Sequence, residues 1–279
     1  MTNQVWLDRL LARMAIQAEK SGNFVKISEV IRQEYDKALS DPPKIVIIGR
    51  TGVGKSSTIN VLFNANLPIS HTRAATKEAV QLSIRSRPIT VNGTKGSLEL
   101  WDMPGIGEDL EKDEQYKRLY AKIIAKCDVA VWILSAPDRS IAQDQLVIRD
   151  VVNVANQEIA SRLVIGVNKI DLIYPSNWNF RTNLPSKAQQ RNINDRLSDI
   201  RSKLVKVCPS LTRDRIIGYS ARRRYRLEHL FGAMLSACPE DRAWVLSSRQ
   251  EIADYWEYVA PDLRNQIRSM VGVQQNGYE

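Results

Sequence analysis

Three glycines, a lysine and a serine lie within eight residues, Gly49-Arg50-Thr51-Gly52-Val53-Gly54-Lys55-Ser56. They follow an apolar run, Lys44-Ile45-Val46-Ile47-Ile48, and lead into Ser57-Thr58-Ile59. This is the pattern GxxxxGK[ST] set between a short buried strand and the start of a helix. Glycine at 49, 52 and 54 lets the backbone curl until its N–H groups converge on one point. The helix N-terminus behind them adds favourable partial charge. Such a cradle holds a polyphosphate. Lys55 can reach the β- and γ-phosphates, the Ser56 hydroxyl can ligate Mg²⁺, and Thr51, Val53 and Ser57 complete the nucleotide-contacting set. A purely structural glycine turn explains neither Lys55 nor Ser56.

Four further segments follow in order. Asp102-Met103-Pro104-Gly105 is a DxxG at a strand end. The Asp102 carboxylate can hold Mg²⁺, and the Gly105 N–H can donate to a γ-phosphate, a bond that exists only while that phosphate is present. Asn168-Lys169-Ile170-Asp171 follows another buried strand. Asp171 can accept from the ring N–H and the exocyclic amine of guanine; adenine offers an acceptor and no amine there, leaving the carboxylate unpaired. Asn168 can tie neighbouring loops together, and the stem of Lys169 can cover a ring face. Tyr219-Ser220-Ala221 places a small residue where the Ala221 N–H can approach the guanine carbonyl. Thr72 and Thr76 are both candidates to ligate Mg²⁺ and sense the γ-phosphate; Thr76, just before the next strand, is preferred.

These segments need elements to carry them, and the sequence supplies an alternation. Val80–Ser86 and Ser97–Met103 read as strands with an Asn92-Gly93 hairpin signal between them. Asp128–Ser135, Arg162–Val167 and Arg215–Tyr219 read as buried strands. Helices are predicted from Ile141 to about Asn156, over Ile193, Leu197, Ile200, Leu204 and Val207, and over Leu227, Leu230, Phe231 and Met234. Ser140 with Gln143, and Ser186 with Gln189, form capping boxes. Strands separated by helices imply a largely parallel sheet with helices on both faces. Two amphipathic helices are expected before Ser40-Asp41-Pro42-Pro43. Two more are expected at the other end, one capped by Ser248 with Glu251 and carrying Ile252, Trp256 and Val259, the next opened by Pro261. Their stripes suit packing against the domain. The organisation is thus a helical extension over 1–43, a nucleotide-binding domain over 44–238 and a helical extension over 239–279.

The 279 residues, 43% of them hydrophobic, suffice for one sizeable core plus appendages. Cys127, Cys208 and Cys238 are scattered and odd in number, which suggests neither a disulfide framework nor a zinc site and fits a reducing cytoplasm. No apolar run is long enough to span a bilayer, and Asp8, Arg9 and Arg13 interrupt any signal-peptide core. The net charge of +9 arises between Lys44 and Ala221, because 1–43 carry six basic and six acidic residues and 222–279 carry eight of each. A solvated basic face is the plainer explanation; RNA or an anionic membrane surface is the sharper one, weakened by the lack of interleaved aromatics. Nothing points to DNA.

Taken together, GRTGVGKSS, DMPG, NKID and YSA resemble the P-loop GTPases, and among them the Era-like group of stand-alone bacterial type. The likeness runs from Gly49 to about Leu235, helped by Ala136-Pro137-Asp138-Arg139-Ser140 and Tyr174-Pro175-Ser176-Asn177-Trp178. It implies an α/β, three-layer domain with a six-stranded mixed, mostly parallel sheet, GTP or GDP with Mg²⁺, and a switch driven by GTP hydrolysis. Lys55, Thr76 and Gly105 would act on the γ-phosphate, and Ser56, Thr76 and Asp102 would hold the metal. The likeness does not reach the helical ends, and no GxxG RNA-binding signature follows the domain. Two departures stand out. Ile106 follows the DxxG where Ras-like enzymes have a water-orienting glutamine, and Gly52 stands where potassium-assisted relatives have asparagine. Slow hydrolysis by the isolated chain is therefore expected, with acceleration from another chain or from Arg73. Arg222, Arg223, Arg224 and Arg226 are either solvated charges or contacts to a second subunit across the nucleotide. A GTP-dependent assembly module, septin- or dynamin-like, is the alternative, and a ribosome- or RNA-associated GTPase a third.

Overall fold

The computed structural model describes residues 43–63, 80–85, 97–102, 123–154, 160–239, 242–243, 246 and 255–266. The N-terminal helices, the Asn92-Gly93 turn, Thr72, Arg73, Thr76, Gly105 and Ile106 lie outside the described residues. Strands β1 (Lys44–Ile48), β2 (Val80–Arg85), β3 (Ser97–Asp102), β4 (Val129–Ser135), β5 (Leu163–Asn168) and β6 (Ile216–Gly218) form one sheet in the order β2-β3-β1-β4-β5-β6. All neighbours are parallel except β2, which runs antiparallel to β3 from Val80 opposite Asp102 to Arg85 opposite Ser97. The longer helices among the described residues are α1 (Lys55–Phe63), α2 (Ala142–Val154), α3 (Lys187–Leu204) and α4 (Leu227–Ala237). None of them is long and apolar enough to cross a membrane.

The strand sequences explain the layering. β4 and β5 are buried at every position and β1 at all but Lys44, so these strands read as continuous apolar runs. Alternate residues serve opposite faces. Val46, Ile48, Trp132, Leu134, Ile165 and Val167 pack with Ile148 of α2 and Ile193 and Ile200 of α3. Ile45, Ile47, Val131, Ile133 and Val164 pack with Ile59 and Leu62 of α1 and Leu230 and Phe231 of α4. Each fully buried Ile or Leu contributes roughly 1.5–3 kcal/mol, against about 0–1 kcal/mol for an exposed ion pair. The two apolar layers therefore set the position of everything at the sheet's rim. The three cysteines are buried thiols, none of them in a disulfide.

The elements fall where the sequence reading puts them, α3 stops at Leu204, three residues short of Val207, and three further details differ. Helix α2 starts at Ala142, so the Ser140 hydroxyl accepts from the Ala142 N–H at 3.3 Å, one residue before Gln143. At α3 the Ser186 hydroxyl accepts from the Gln189 N–H as the spacing predicts, at 3.1 Å. The Gln189 side chain does not turn back to complete the box. It is fully buried and donates to the Asp171 and Ile173 carbonyls at 3.0 and 2.9 Å. Ser248, Glu251 and Ile252 of the expected C-terminal helix lie outside the described residues; where description resumes, Tyr255–Tyr258, including Trp256, is a 3₁₀ turn. Beyond it Val259 is buried and the Ala260 N–H donates to the Arg181 carbonyl at 2.9 Å. Residues 261–266 are helical, opened by Pro261.

Candidate functional site

All five parallel strands end at one rim, where open α/β sheets place their ligands. β1 delivers Gly49, β3 ends at Asp102, β5 ends at Asn168, and β6 leads into Tyr219-Ser220-Ala221. Asp102 pairs in register with Ile47, two residues before Gly49.

The glycine loop adopts a shape that only glycine permits at two of its corners. Gly49 has φ 148°, and a Cβ there would sit 2.3 Å from the Ile133 carbonyl oxygen. Gly54 has φ 100°, and its Cβ would lie 2.4 Å from the Asn168 amide nitrogen. Lys55 is buried at the first position of α1 and donates through Nζ to the Gly49 and Arg50 carbonyls at 3.0 and 3.2 Å. Ser56 and Ser57 follow on the same first turn, half-buried, while Thr51 and Gly52 are exposed and Val53 is buried.

Asn168 joins the three loops, as its sequence context predicts. Its amide nitrogen donates to the Val53 carbonyl at 2.9 Å, and its Oδ1 accepts from Lys169 N–H at 2.8 Å and Ala221 N–H at 3.0 Å. The Ala221 N–H, expected to face a guanine carbonyl, is thus held by Asn168, because the same oxygen fixes the turn of both base-side loops. Lys169 has φ 64° and donates from Nζ to the Gly52 carbonyl at 2.6 Å, so its stem arches over the glycine loop. Ser220 pairs with Tyr225 in an antiparallel bridge and accepts from the Arg223 N–H through its hydroxyl at 3.0 Å.

Asp171 is the most informative residue of the group. Its side chain is 4% exposed, its main chain is fixed by Gln189, and its Oδ1 is buried without a hydrogen-bond partner. Buried acceptors are rarely left unmet, so this one calls for a partner that the protein itself does not supply. Together with the two glycine corners that a Cβ would fill, this fits a nucleotide lying from the glycine loop to Asp171. A separate open groove of about 640 Å³, lined by Pro137, Asp138, Leu172, Tyr174, Asp195 and Arg196 among others, contains none of these residues.

Several supporting residues were not singled out by the sequence. Arg50 turns away from the cradle and pairs with Asp138 and with buried Asp144, whose Oδ2 accepts from Nε at 3.0 Å. The Trp132 indole N–H donates to Asp144 Oδ1 at 3.0 Å. Burial raises the Asp144 carboxyl above its usual range, against the opposing pull of Trp132 and Arg50. A signal existed: Asp144 occupies the apolar stripe set by Ile141, Val147 and Ile148. Tyr219 is fully buried and shares a 2.6 Å hydrogen bond with the Thr58 hydroxyl, which also donates to the Gly54 carbonyl at 2.8 Å. Burial pushes its phenol far above the ordinary range, so it stays neutral.

Residues 44–169 match the family described as 50S ribosome-binding GTPase. The chain is 26% identical over 218 residues to the uncharacterized protein YkfA of Escherichia coli K12, covering 77% of this chain and 69% of that protein. It is 31% identical over 146 residues to the GTPase Der of Thermomicrobium roseum, covering 50% of this chain but 29% of Der. Among solved structures, Era of Aquifex aeolicus bound to GDP and AlF4⁻ superposes with a TM-score of 0.51 at 20% identity, over 70% of this chain and 56% of Era. An Era complex with MgGDPNP and a 16S ribosomal RNA segment gives 0.52 at 21% identity, over 71% and 57%. The chain spans little more than half of these Era chains. The motif order, the sheet and these likenesses agree: residues 44–169 form a P-loop GTPase domain, similar to those of Era and Der.

Proposed function

We propose that this chain is a cytoplasmic guanine-nucleotide switch whose GTPase domain, residues 44–238, alternates between GTP and GDP forms and hydrolyses GTP slowly when alone. The observation that carries this reading is the buried Asp171 carboxylate with an unmet oxygen, held to the glycine loop through the Asn168 clamp. The carboxylate reads the guanine ring N–H and amine, and the Lys169 stem covers the ring. Lys55 presents its ammonium on the floor of the cradle, where charge develops as water attacks the γ-phosphate to give GDP and phosphate. Ser56, Thr76 and Asp102 are hard oxygen donors of the kind Mg²⁺ takes, and the ion, when bound, neutralises phosphate charge. Gly105 senses the γ-phosphate. Calorimetry of the purified chain tests the reading: GDP binding with ADP excluded is expected, and equal affinity for both sinks it.

A second reading is pairing of two copies across the nucleotide. Ile106 favours it, because an aliphatic side chain cannot orient the attacking water and a group from another chain is then needed. Arg222, exposed beside the base-side loop, supports the reading as a side chain able to reach a second copy, whereas Arg223 and Arg224 are engaged within the chain. A turnover rate per molecule that climbs with protein concentration is the expected result; a rate independent of concentration removes this reading.

A further inference from the structure

Phe180 is 66% exposed, yet the loop that carries it is built firmly. Asn179 and Leu184 pair across it at 2.8 and 3.3 Å, and Asn179 Oδ1 accepts from the Arg181 and Thr182 N–H groups. Trp178 anchors it from below: the indole is buried, donates to Asn183 Oδ1 at 3.0 Å and meets Tyr225 edge-on at 5.1 Å. Asn183, with φ 54°, donates in turn to the Arg223 carbonyl at 2.9 Å. A rigid loop therefore presents a large aromatic ring to the surface without using it in the core.

What the ring covers is the Arg223 guanidinium, whose central carbon lies 4.4 Å from the ring centroid. On its other side the Arg223 Nε stands 4.0 Å from Asp171 Oδ2, with side-chain exposures of 17% and 4%. Neither Arg223 Nε nor Asp171 Oδ1 has a hydrogen-bond partner. A buried carboxylate needs a compensating charge. A cation at hydrogen-bond distance would also occupy the acceptor oxygens. At 4.0 Å the guanidinium supplies the charge and leaves the acceptors open. Its main chain is pinned by Ser220 and Asn183, and the ring face holds its plane, so this spacing is fixed from three sides.

We infer that Arg223, braced by Phe180, is a specificity-determining positioning residue that compensates the Asp171 carboxylate while leaving its oxygens free for the two donors of guanine. The inference rests on Asp171 reading the base. Binding of GDP, IDP and ADP to the full chain by calorimetry separates the two claims, because hypoxanthine lacks the exocyclic amine. A wild-type chain that binds ADP as well as GDP removes the base-reading claim and this one with it. Given a wild-type preference for GDP, Arg223→Ala is expected to weaken GDP about tenfold or more, IDP less, and ADP not at all. Arg223→Lys restores part of the loss. Phe180→Ala, at an exposed position that leaves the melting temperature unchanged, weakens GDP in the same direction by a smaller factor. Unchanged GDP affinity in Arg223→Ala overturns the inference. So does tighter GDP binding, which would mean that the guanidinium competes with the base, and so does an equal loss for GDP and IDP, which would mean general damage to the loop.

Discussion

Replacing Asp171 by asparagine should move the base preference of this domain from guanine to xanthine. The side chain is 4% exposed and its Oδ1 has no protein partner, so a bound base meets it with little water between. Guanine offers two donors to the carboxylate. Asparagine keeps one acceptor and turns its NH₂ toward the guanine amine, donor against donor. Hydrogen bonds to a charged group contribute about 1.5–3 kcal/mol each, so losing one and opposing another costs about 2–4 kcal/mol, or roughly 30- to 1000-fold in GDP affinity. Xanthine carries a carbonyl where guanine carries the amine, so the asparagine NH₂ donates to it and its oxygen accepts the ring N–H. The XDP affinity should therefore rise as GDP falls. Competition titrations at one salt concentration, with melting curves to confirm folding, read both numbers. An Asp171→Asn chain that holds GDP within about threefold of wild type, or gains nothing for XDP, would refute base reading by this residue.

Gly54→Ala must force a Cβ to within 2.4 Å of the Asn168 amide at φ 100°, so a stability loss of about 1–3 kcal/mol and a collapse of GDP affinity are expected in melting and titration experiments. Tyr219→Phe removes one buried hydrogen bond to Thr58; a loss of about 1 kcal/mol and a fall of roughly 2–4 °C in Tm should follow, and an unchanged Tm counts against the link. Asp144 tests the network behind the cradle. Its raised carboxyl pKa means that the fold binds the proton more tightly than the unfolded chain does. That stability is fully present below the unfolded value of 3.8 and is lost as pH rises through the folded value. Asp144→Asn removes this dependence, so denaturant titrations at pH 4 and pH 7 should show the variant gaining on wild type at the higher pH. A variant that falls behind instead shows that the Arg50 pair outweighs burial.

The C-terminal segment touches the base-side loops at several points whose weights differ. Arg224 pairs with Glu257 and lies 5.3 Å over the Tyr258 ring; Arg181 pairs with Asp262. Glu257 is 60% exposed, and Arg181 and Asp262 are 64% and 59% exposed, so water screens these pairs to a fraction of a kcal/mol. Val259 is 3% exposed, and the Ala260 N–H is held by the Arg181 carbonyl. Burial of one valine outweighs both exposed ion pairs. The segment is therefore held more by a buried valine and one backbone hydrogen bond than by its exposed ion pairs, and salt should hardly loosen it.

How much of this was written in the sequence depends on the range of the interaction. Elements carried by the period of their apolar residues were legible: β4 and β5 read as buried strands because both faces are covered. Two residues whose place is set by their own chemistry at a loop corner were legible too: Gly54 takes a positive φ, and Asn168 ties the neighbouring loops together. What escaped were polar residues that act through partners far along the chain. Arg50 and Asp144 are 94 positions apart, Thr58 and Tyr219 are 161 apart, and neither pair has a local signature. Gln189 misled for the opposite reason. Its spacing from Ser186 satisfies a capping box, but full burial leaves its amide a better bargain at two loop carbonyls than at a helix end open to water. An unmet buried carbonyl costs more than an uncapped N–H that water can reach, so tertiary burial overrides the local pattern wherever the two compete for one side chain.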